Sequence, residues 1–280
     1  MHNIRELIHL SSGYLKKRGV VNARREAEEL LAALLKKKRM ELYFDYDAPL
    51  EEGEVVKYRD WIRRKGEKEP LEYITGVIEF FDCYLSVHPG ILIPRQETEI
   101  LATLALKEIP QEAKTLWDLC TGSGCLGLSM KKKRPDLEVT LSDLSETALV
   151  CARKNAERNG LEVSVLQGDL LKPFAGKKAD VVFCNPPYVT EEEYQGLEDS
   201  VRLYEPKEAL VGGVCFYERL AHELPSYLNP HAKVFLEMGA TQGEALKEIF
   251  DQKHWKQKRC EKDWAGYDRF FFLEYQENFE

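Results

Sequence analysis

From Arg95 onward the chain alternates short β-type runs with helical periodicity, and nothing else in it restricts the possible folds as much. Strands are expected at 115–119, 138–142, 162–166, 179–184, 233–237 and 269–273. Helices are expected near 97–107, 124–133, 145–159, 214–227 and 242–252. Such alternation implies a parallel sheet with helices packed on both faces. The last strand follows closely behind Trp255 and Asp263-Trp264-Ala265-Gly266, so it is expected to enter by a hairpin and run antiparallel. The first sixty-odd residues read differently. Ile4, Leu7, Ile8 and Leu15 share one helical face, and Ala27, Leu30, Leu31, Leu34 and Leu35 follow the i, i+3, i+4 pattern. Asn22 is the expected N-cap of that second helix, and Val55, Tyr58 and Ile62 mark a third that ends near Gly66. Between the two regions, residues 73–93 mix β-branched and aromatic residues with Gly76, Asp82 and Pro89-Gly90, which reads as a hairpin linker. The expected domains are a helical 1–70, a linker 71–94 and a larger α/β domain 95–280.

With 280 residues the chain is long enough for two domains. Its 44% hydrophobic and 31% charged residues fit a soluble globular protein. No 18-residue apolar run is present, so no membrane span is expected, and Met1-His2-Asn3-Ile4-Arg5-Glu6 contains no apolar signal core, so export is not expected. Seven cysteines without a Cys-x-x-Cys pair fit reduced thiols in the cytoplasm. A net charge of −8 argues against a broad nucleic-acid footprint. The basic runs Lys36-Lys37-Lys38-Arg39 and Lys131-Lys132-Lys133-Arg134 fall at helix ends, where cations complement the dipole. His88, His222, His231 and His254 have no metal-ligand spacing, so no metal is expected.

Asn185-Pro186-Pro187-Tyr188 leaves the apolar run Ala179–Cys184. Two prolines remove two backbone donors and fix φ at successive residues, so the loop is stiff and its carbonyls point in set directions. An Asn side-chain oxygen and a rigid carbonyl can together accept both hydrogens of one planar NH₂ group, while a Tyr ring stacks on the π system that carries it. An amide or aromatic amine nitrogen is a poor nucleophile because its lone pair is delocalised. Two acceptors on its hydrogens localise that lone pair and stabilise the positive charge that develops on attack at a methyl group. Losing one such preorganised group costs roughly 10²–10³ in rate. Pro-Pro alone would be a stiffened turn; Asn before it, Tyr after it and a buried strand leading in point to an amine- or amide-gripping loop.

Asp118-Leu119-Cys120-Thr121-Gly122-Ser123-Gly124 ends the first expected strand of the α/β domain and opens a helix. Glycines there let a ligand approach the backbone, and a helix N-terminus offers free N–H groups to an anion. Asp143 closes the next strand, where a carboxylate can accept both hydroxyls of a ribose. Asp169 follows the third strand and can accept from an adenine amino group, with Leu170 packing on the ring. Gly122-Ser123-Gly124-Cys125-Leu126-Gly127 also matches G-x-G-x-x-G, so a nicotinamide dehydrogenase remains a competing reading. Hydride transfer has no use for an amine-gripping loop, which favours S-adenosyl-L-methionine, leaving S-adenosyl-L-homocysteine.

The tetrad resembles the N/D-P-P-Y/F signature of amino-methyltransferases. Several further stretches resemble the PrmC/HemK family of release factor glutamine N5-methyltransferases. They are Pro70-Leu71-Glu72-Tyr73-Ile74-Thr75-Gly76, Pro89-Gly90-Ile91-Leu92-Ile93-Pro94-Arg95-Gln96-Glu97-Thr98-Glu99, Asp118 through Cys125, Tyr204-Glu205-Pro206, Gln242-Gly243-Glu244-Ala245 and Asp263 through Arg269. The likeness runs from about residue 70 to the end; the helical N-terminus agrees in type. It implies a seven-stranded, Rossmann-like S-adenosylmethionine-dependent methyltransferase domain behind a small helical, partner-binding N-terminal domain. It also implies that the acceptor is the glutamine of the Gly-Gly-Gln motif of peptide chain release factors. On that resemblance Cys120, Thr121, Gly122, Ser123, Gly124, Asp143, Asp169, Leu170 and Asn185 bind the donor. Asn185, Pro186, Pro187 and Tyr188 hold the glutamine amide, with Asn185, Pro186 and Tyr188 in the catalytic role, and Arg95 and Glu97 line the mouth. The expected protein is a cytoplasmic monomer with no direct nucleic-acid contact. Cys120 stands where the family has its first glycine, Gln96 replaces a usual proline, Leu170 replaces a usual aromatic, and the loop after Gly212-Gly213 is about three residues short. Alternative acceptors are a ribosomal protein glutamine and, in another substrate class, the adenine N6 of DNA. Cys120, Cys125 and Cys184 are expected near one another as small buried thiols.

Overall fold

The computed structural model describes residues 2–277, which group into two compact units, 2–77 with 198–204 and 78–197 with 205–277. The first unit is helical. α1 (Ile4–Lys17) starts with a capping box in which Asn3 accepts from the Glu6 N–H at 2.9 Å and the Glu6 carboxylate accepts from the Asn3 N–H at 3.4 Å. α2 (Ala23–Leu35), α3 (Glu52–Gly66) and the single turn α4 (Leu71–Thr75) follow. Leu7, Leu15, Leu30, Leu31 and Tyr58 are fully or almost fully buried in its core, and the Tyr58 hydroxyl donates to the Ala27 carbonyl at 2.9 Å. The helical stripes read from the sequence are the faces that pack. Asn22 holds the N-cap position of α2 as expected, its carbonyl accepting the Glu26 N–H at 3.1 Å, but it sits at φ 55° and its side chain makes no capping hydrogen bond. Asparagine tolerates the left-handed region better than most residues, and here it supplies that turn instead.

The second unit is an α/β domain. β1 (Val77–Phe80) and β2 (Cys83–Ser86) form a two-stranded hairpin before α5 (Gln96–Leu106). There follow β3 (Thr115–Leu119), α6 (Cys125–Lys133), β4 (Glu138–Asp143), α7 (Glu146–Arg158), β5 (Ser164–Gln167) and β6 (Ala179–Cys184). α8 (Glu191–Gln195) precedes α9 (Asp199–Tyr204), which groups with the helical unit: Asp199 pairs there with Lys68, and the Tyr204 hydroxyl donates to the Glu67 carbonyl at 2.8 Å. α10 (Cys215–Glu223), β7 (Leu228–Glu237), α11 (Gly243–Ile249), β8 (Trp255–Lys262) and β9 (Asp268–Tyr275) complete the domain.

The seven strands lie in the order β5-β4-β3-β6-β7-β9-β8. β3 to β7 are parallel and β9 is antiparallel to both of its neighbours, so the chain does enter its last strand by a hairpin. Successive residues of the central strands feed opposite cores. Leu116, Val181, Phe183, Phe235 and Phe272 pack on one face, and Trp117, Val182, Leu236, Phe271 and Leu273 on the other. Burial on both faces is why these strands read as unbroken apolar runs. Strand order reverses between β3 and β6, and ligands of open α/β sheets bind outside the carboxyl ends of the strands at such a point.

Candidate active site

Both singled-out loops leave the sheet at that reversal. Leu119 and Cys184 are register partners at the ends of β3 and β6, so the glycine-rich loop and the Asn-Pro-Pro-Tyr loop emerge side by side. A cavity of about 500 Å³ lies over them, a size typical of a cofactor site. Cys120, Thr121, Gly122, Ser123, Asp143, Asp169 and Leu170 line it. So do Asn185, Pro186, Pro187, Tyr188 and Arg95. Gly124 and Glu97 are not among the lining residues: Gly124 turns the chain into α6, where an added Cβ would meet Leu128 at 2.9 Å, and Glu97 sits in the first turn of α5.

The loop after β3 is a tight, hydrogen-bonded turn. Cys120, Gly122 and Gly124 have φ of 54°, 55° and 85°. A cysteine therefore holds the left-handed conformation that favours glycine, which is why the departure at 120 leaves the turn intact. The Thr121 N–H donates to the Ser142 carbonyl at 3.0 Å and the Gly122 N–H to Asp143 Oδ2 at 2.9 Å. Asp118 lies beneath, 1% exposed, its Oδ2 accepting from the Thr121 hydroxyl at 2.6 Å and the Gly127 N–H at 2.9 Å. Burial pushes the Asp118 carboxyl up to about 7 against those two hydrogen bonds. Asn155, not singled out from the sequence, ties the loop to the hairpin. Its amide donates to the Ser123 carbonyl at 2.9 Å and the Ser86 carbonyl at 3.1 Å and accepts from the Ser86 N–H at 2.7 Å.

Asp143 Oδ1 accepts from the Ser145 N–H at 2.9 Å, so each carboxylate oxygen holds one backbone donor and keeps one lone pair for a ligand hydroxyl. Burial pushes Asp143 up, opposed by the backbone donors of Ser145 and Gly122. The Ser123 hydroxyl is buried without a hydrogen-bond partner among the described residues. A buried hydroxyl is costly to leave unpaired, and beside a left-handed glycine turn and a ribose-competent carboxylate it fits a polar ligand such as S-adenosylmethionine. Asp169 is less free than its strand-end position suggests. Arg219 Nη2 donates to both of its oxygens at 2.9 Å and Lys172 to Oδ2 at 2.9 Å, and these cations, Lys172 foremost, hold the carboxyl below its ordinary value. Leu170, 4% exposed and at φ 50°, lines the cavity and packs in the core beneath it.

In the tetrad, Pro186 and Pro187 are buried, and Asn185 and Tyr188 are half-buried. Among the described residues nothing hydrogen-bonds the Asn185 side chain, so its amide oxygen is available to a ligand. The Val189 N–H donates to the Leu210 carbonyl at 2.9 Å and the Gly212 N–H returns to the Val189 carbonyl at 3.0 Å, which pins the segment after the tetrad. Arg95 pairs with Glu205, a buried carboxylate that also accepts the Ile93 N–H at 3.0 Å, so Glu205 anchors the cavity's edge. Glu237, at the end of β7, lines the same cavity and is 1% exposed. It lies in an apolar strand, and no local pattern marks it. Cys184 is fully buried against Cys120, and burial pushes its thiol well up. Among the described residues no cluster of His, Cys, Asp and Glu is arranged to hold a metal ion, and no helix is long and apolar enough to cross a membrane.

Residues 88–201 match the family model "Methyltransferase small domain" and residues 6–76 match "PrmC N-terminal domain". A relative named release factor glutamine methyltransferase from Chlamydia trachomatis serovar D is 42% identical over 281 residues, covering 98% of this chain and 95% of the relative. A protein of the same name from Geobacter sulfurreducens is 36% identical over 269 residues, covering 95% and 94%. Among solved structures, a Pyrococcus furiosus methyltransferase superposes with a TM-score of 0.52 at 22% identity, covering 70% of this chain and 90% of its own. A T. thermophilus 16S rRNA N2 G1207 methyltransferase, solved with AdoMet and guanosine, gives 0.54 at 17% identity, covering 71% and 50%. At these identities the structures speak for the fold alone.

Proposed function

The chain belongs to the release factor glutamine methyltransferases, and we propose how its residues divide the work. It is an S-adenosylmethionine-dependent enzyme that methylates a glutamine of a release factor. Neither the DNA adenine nor the nicotinamide reading is favoured beside that family membership. The observation that carries the residue assignment is the emergence of a proline-stiffened Asn-Pro-Pro-Tyr loop beside a glycine-rich turn in one cavity.

The target in this reading is the N5 nitrogen of the glutamine in a Gly-Gly-Gln loop. The Asn185 side-chain oxygen and the Pro186 carbonyl accept its two amide hydrogens, and the Tyr188 ring packs on the amide plane. These acceptors are fixed before substrate arrives, so they stabilise charge that develops on nitrogen without reorganisation. S-adenosylmethionine supplies an electrophilic methyl group when bound. The turn from Cys120 to Ser123 holds the donor's amino-acid end, Asp143 its ribose hydroxyls, and Leu170 packs on its base. Asp169, held by Arg219 and Lys172, shapes the base pocket and keeps one lone pair on Oδ1 for an amino group. Arg95 guides the acceptor loop at the rim, with Glu97 behind it on α5.

A lone glutamine offers too few contacts to select one protein, so the helical unit is assigned to docking the release factor. Seven unpaired thiols support a cytoplasmic location, and a net charge of −8 supports the absence of direct nucleic-acid contact. The test is transfer of labelled methyl to a purified release factor, to its Gly-Gly-Gln glutamine→alanine variant and to duplex DNA. Label on the first alone is expected; label on DNA or on the alanine variant overturns the target. Asn185→Ala is expected to fold normally and lose roughly 10²–10³ in rate, and near wild-type turnover would end the mechanism.

A further inference from the structure

We infer that Glu237 and Gln242 are positioning residues that clamp Tyr188 from both ends and so set the plane on which the acceptor amide packs. The inference rests on the reading of the Asn-Pro-Pro-Tyr loop given above. Glu237 ends β7 inside the protein, and its carboxylate takes the Tyr188 hydroxyl on Oε1 at 3.2 Å and the Thr98 hydroxyl on Oε2 at 2.7 Å. Its main-chain carbonyl takes the Tyr217 hydroxyl at 2.8 Å. At the other end of Tyr188, Gln242 Nε2 donates to the main-chain carbonyl at 2.8 Å, while Gln242 Oε1 accepts the Gly239 N–H at 2.8 Å. One short stretch from the last residue of β7 to Gln242 therefore holds both the ring's tip and its root.

The energetics make Glu237 hard to explain as packing. A buried carboxylate is costly, and an apolar side chain of similar volume would fill the strand end without that cost. Burial, with the nearby Glu97 charge, pushes the carboxyl up, and the Thr98 and Tyr188 hydroxyls and the nearby Arg269 guanidinium oppose it. Of its hydrogen bonds, the one that reaches the tetrad goes to Tyr188. A tyrosine ring on a loop can swing about its first side-chain torsion, whereas a ring fixed at hydroxyl and carbonyl cannot. The clamp also accounts for the Gln242-Gly243 pair. An added Cβ at Gly243 would lie 3.0 Å from the Cys260 sulfur, so glycine lets α11 start close enough for Gln242 to reach.

The test measures kcat and KM for the release factor, with donor affinity and melting temperature, in Glu237→Leu, Glu237→Gln, Tyr188→Phe, Gln242→Leu and the double variant Tyr188→Phe/Glu237→Leu. Glu237→Leu is expected to lower acceptor kcat roughly tenfold to a hundredfold, as for loss of a hydrogen bond to a charged group, with donor affinity held. Glu237→Gln keeps an acceptor for the hydroxyl and is expected to recover most of the rate. In the double variant the two losses should fail to add, because each removes the same contact. Should Glu237→Leu not fold, Gln242→Leu removes the other hold and carries the same expectation. Additive losses, no recovery in Glu237→Gln, or donor affinity falling in step with rate would overturn the clamp. Asn185→Ala assayed alongside separates the two ideas: if it is inactive while the clamp variants behave as wild type, the tetrad stands and the clamp falls. If Asn185→Ala itself turns over normally, the underlying reading falls.

Discussion

Asp118 is the group whose environment sets the plainest quantitative expectation. It lies 1% exposed under the glycine-rich turn, and burial pushes its carboxyl from an ordinary 3.8 up to about 7. In the window between those values the folded chain holds a proton that the unfolded chain has released. The sign follows: the stability tied to this group is complete below pH 3.8 and is lost as pH rises through about 7. A separation of that size corresponds to roughly 4 kcal/mol, of which about 2–3 kcal/mol is lost between pH 5 and pH 8. Asp118→Asn removes the titration while keeping the shape. Its carboxamide oxygen can take the place of Oδ2, which accepts both the Thr121 hydroxyl and the Gly127 N–H. Glu237 and Asp143 are also pushed up by burial and titrate in both proteins, and the Asp143 charge adds to the rise at Asp118. Urea unfolding of the two proteins at pH 5, 6, 7 and 8 is the assay. The variant is expected to gain on the wild type from pH 5 to about pH 7 and to level off above it. Parallel profiles, or a gain that begins only above pH 7, would refute the claim that burial governs this carboxyl.

Gly212→Ala should cut turnover roughly tenfold to a hundredfold with donor affinity little changed, since an ångström-scale displacement of reacting groups has such effects. The added Cβ would fall 2.2 Å from the Pro187 carbonyl and 2.6 Å from the Phe216 ring, so the tetrad itself must move. Steady-state kinetics checks it, and wild-type kcat would show that the loop yields elsewhere. Burial pushes the thiol of Cys151 up to about 11 and that of Cys184 well above its ordinary value, whereas Cys215 is exposed. Iodoacetamide at neutral pH should therefore label Cys215 first and leave Cys151 and Cys184 unmodified until denaturant is added, as read by peptide mass. Early labelling of Cys184 would contradict its burial.

What the sequence made legible is what neighbouring residues decide. Period-2 and period-3.6 patterns are local, so the central strands and the packed helical faces could be read from Leu30, Leu31, Val181 and Phe183. Turn chemistry is also local, so the glycine-rich turn and the proline-stiffened tetrad announced themselves. β8 escaped notice because its run Lys256-Gln257-Lys258-Arg259 is charged, the dressing that keeps an edge strand from pairing with strangers. The rest was hidden because it depends on partners far along the chain. Asp169 sits at a strand end, but besides nearby Lys172 it is engaged by Arg219, fifty positions on. Glu237 reads as the end of an apolar strand until the fold brings Tyr188, 49 positions earlier, to its carboxylate. Asn155 looks like one more polar residue of an amphipathic helix, yet it is wholly buried and joins Ser86 to Ser123. The same division runs through the site. The atoms assigned to touch substrate lie in short motifs, where backbone conformation alone presents them. The groups that hold those motifs still come from β7, α7 and α10, and their identity follows from the burial and hydrogen-bond demands of the assembled sheet.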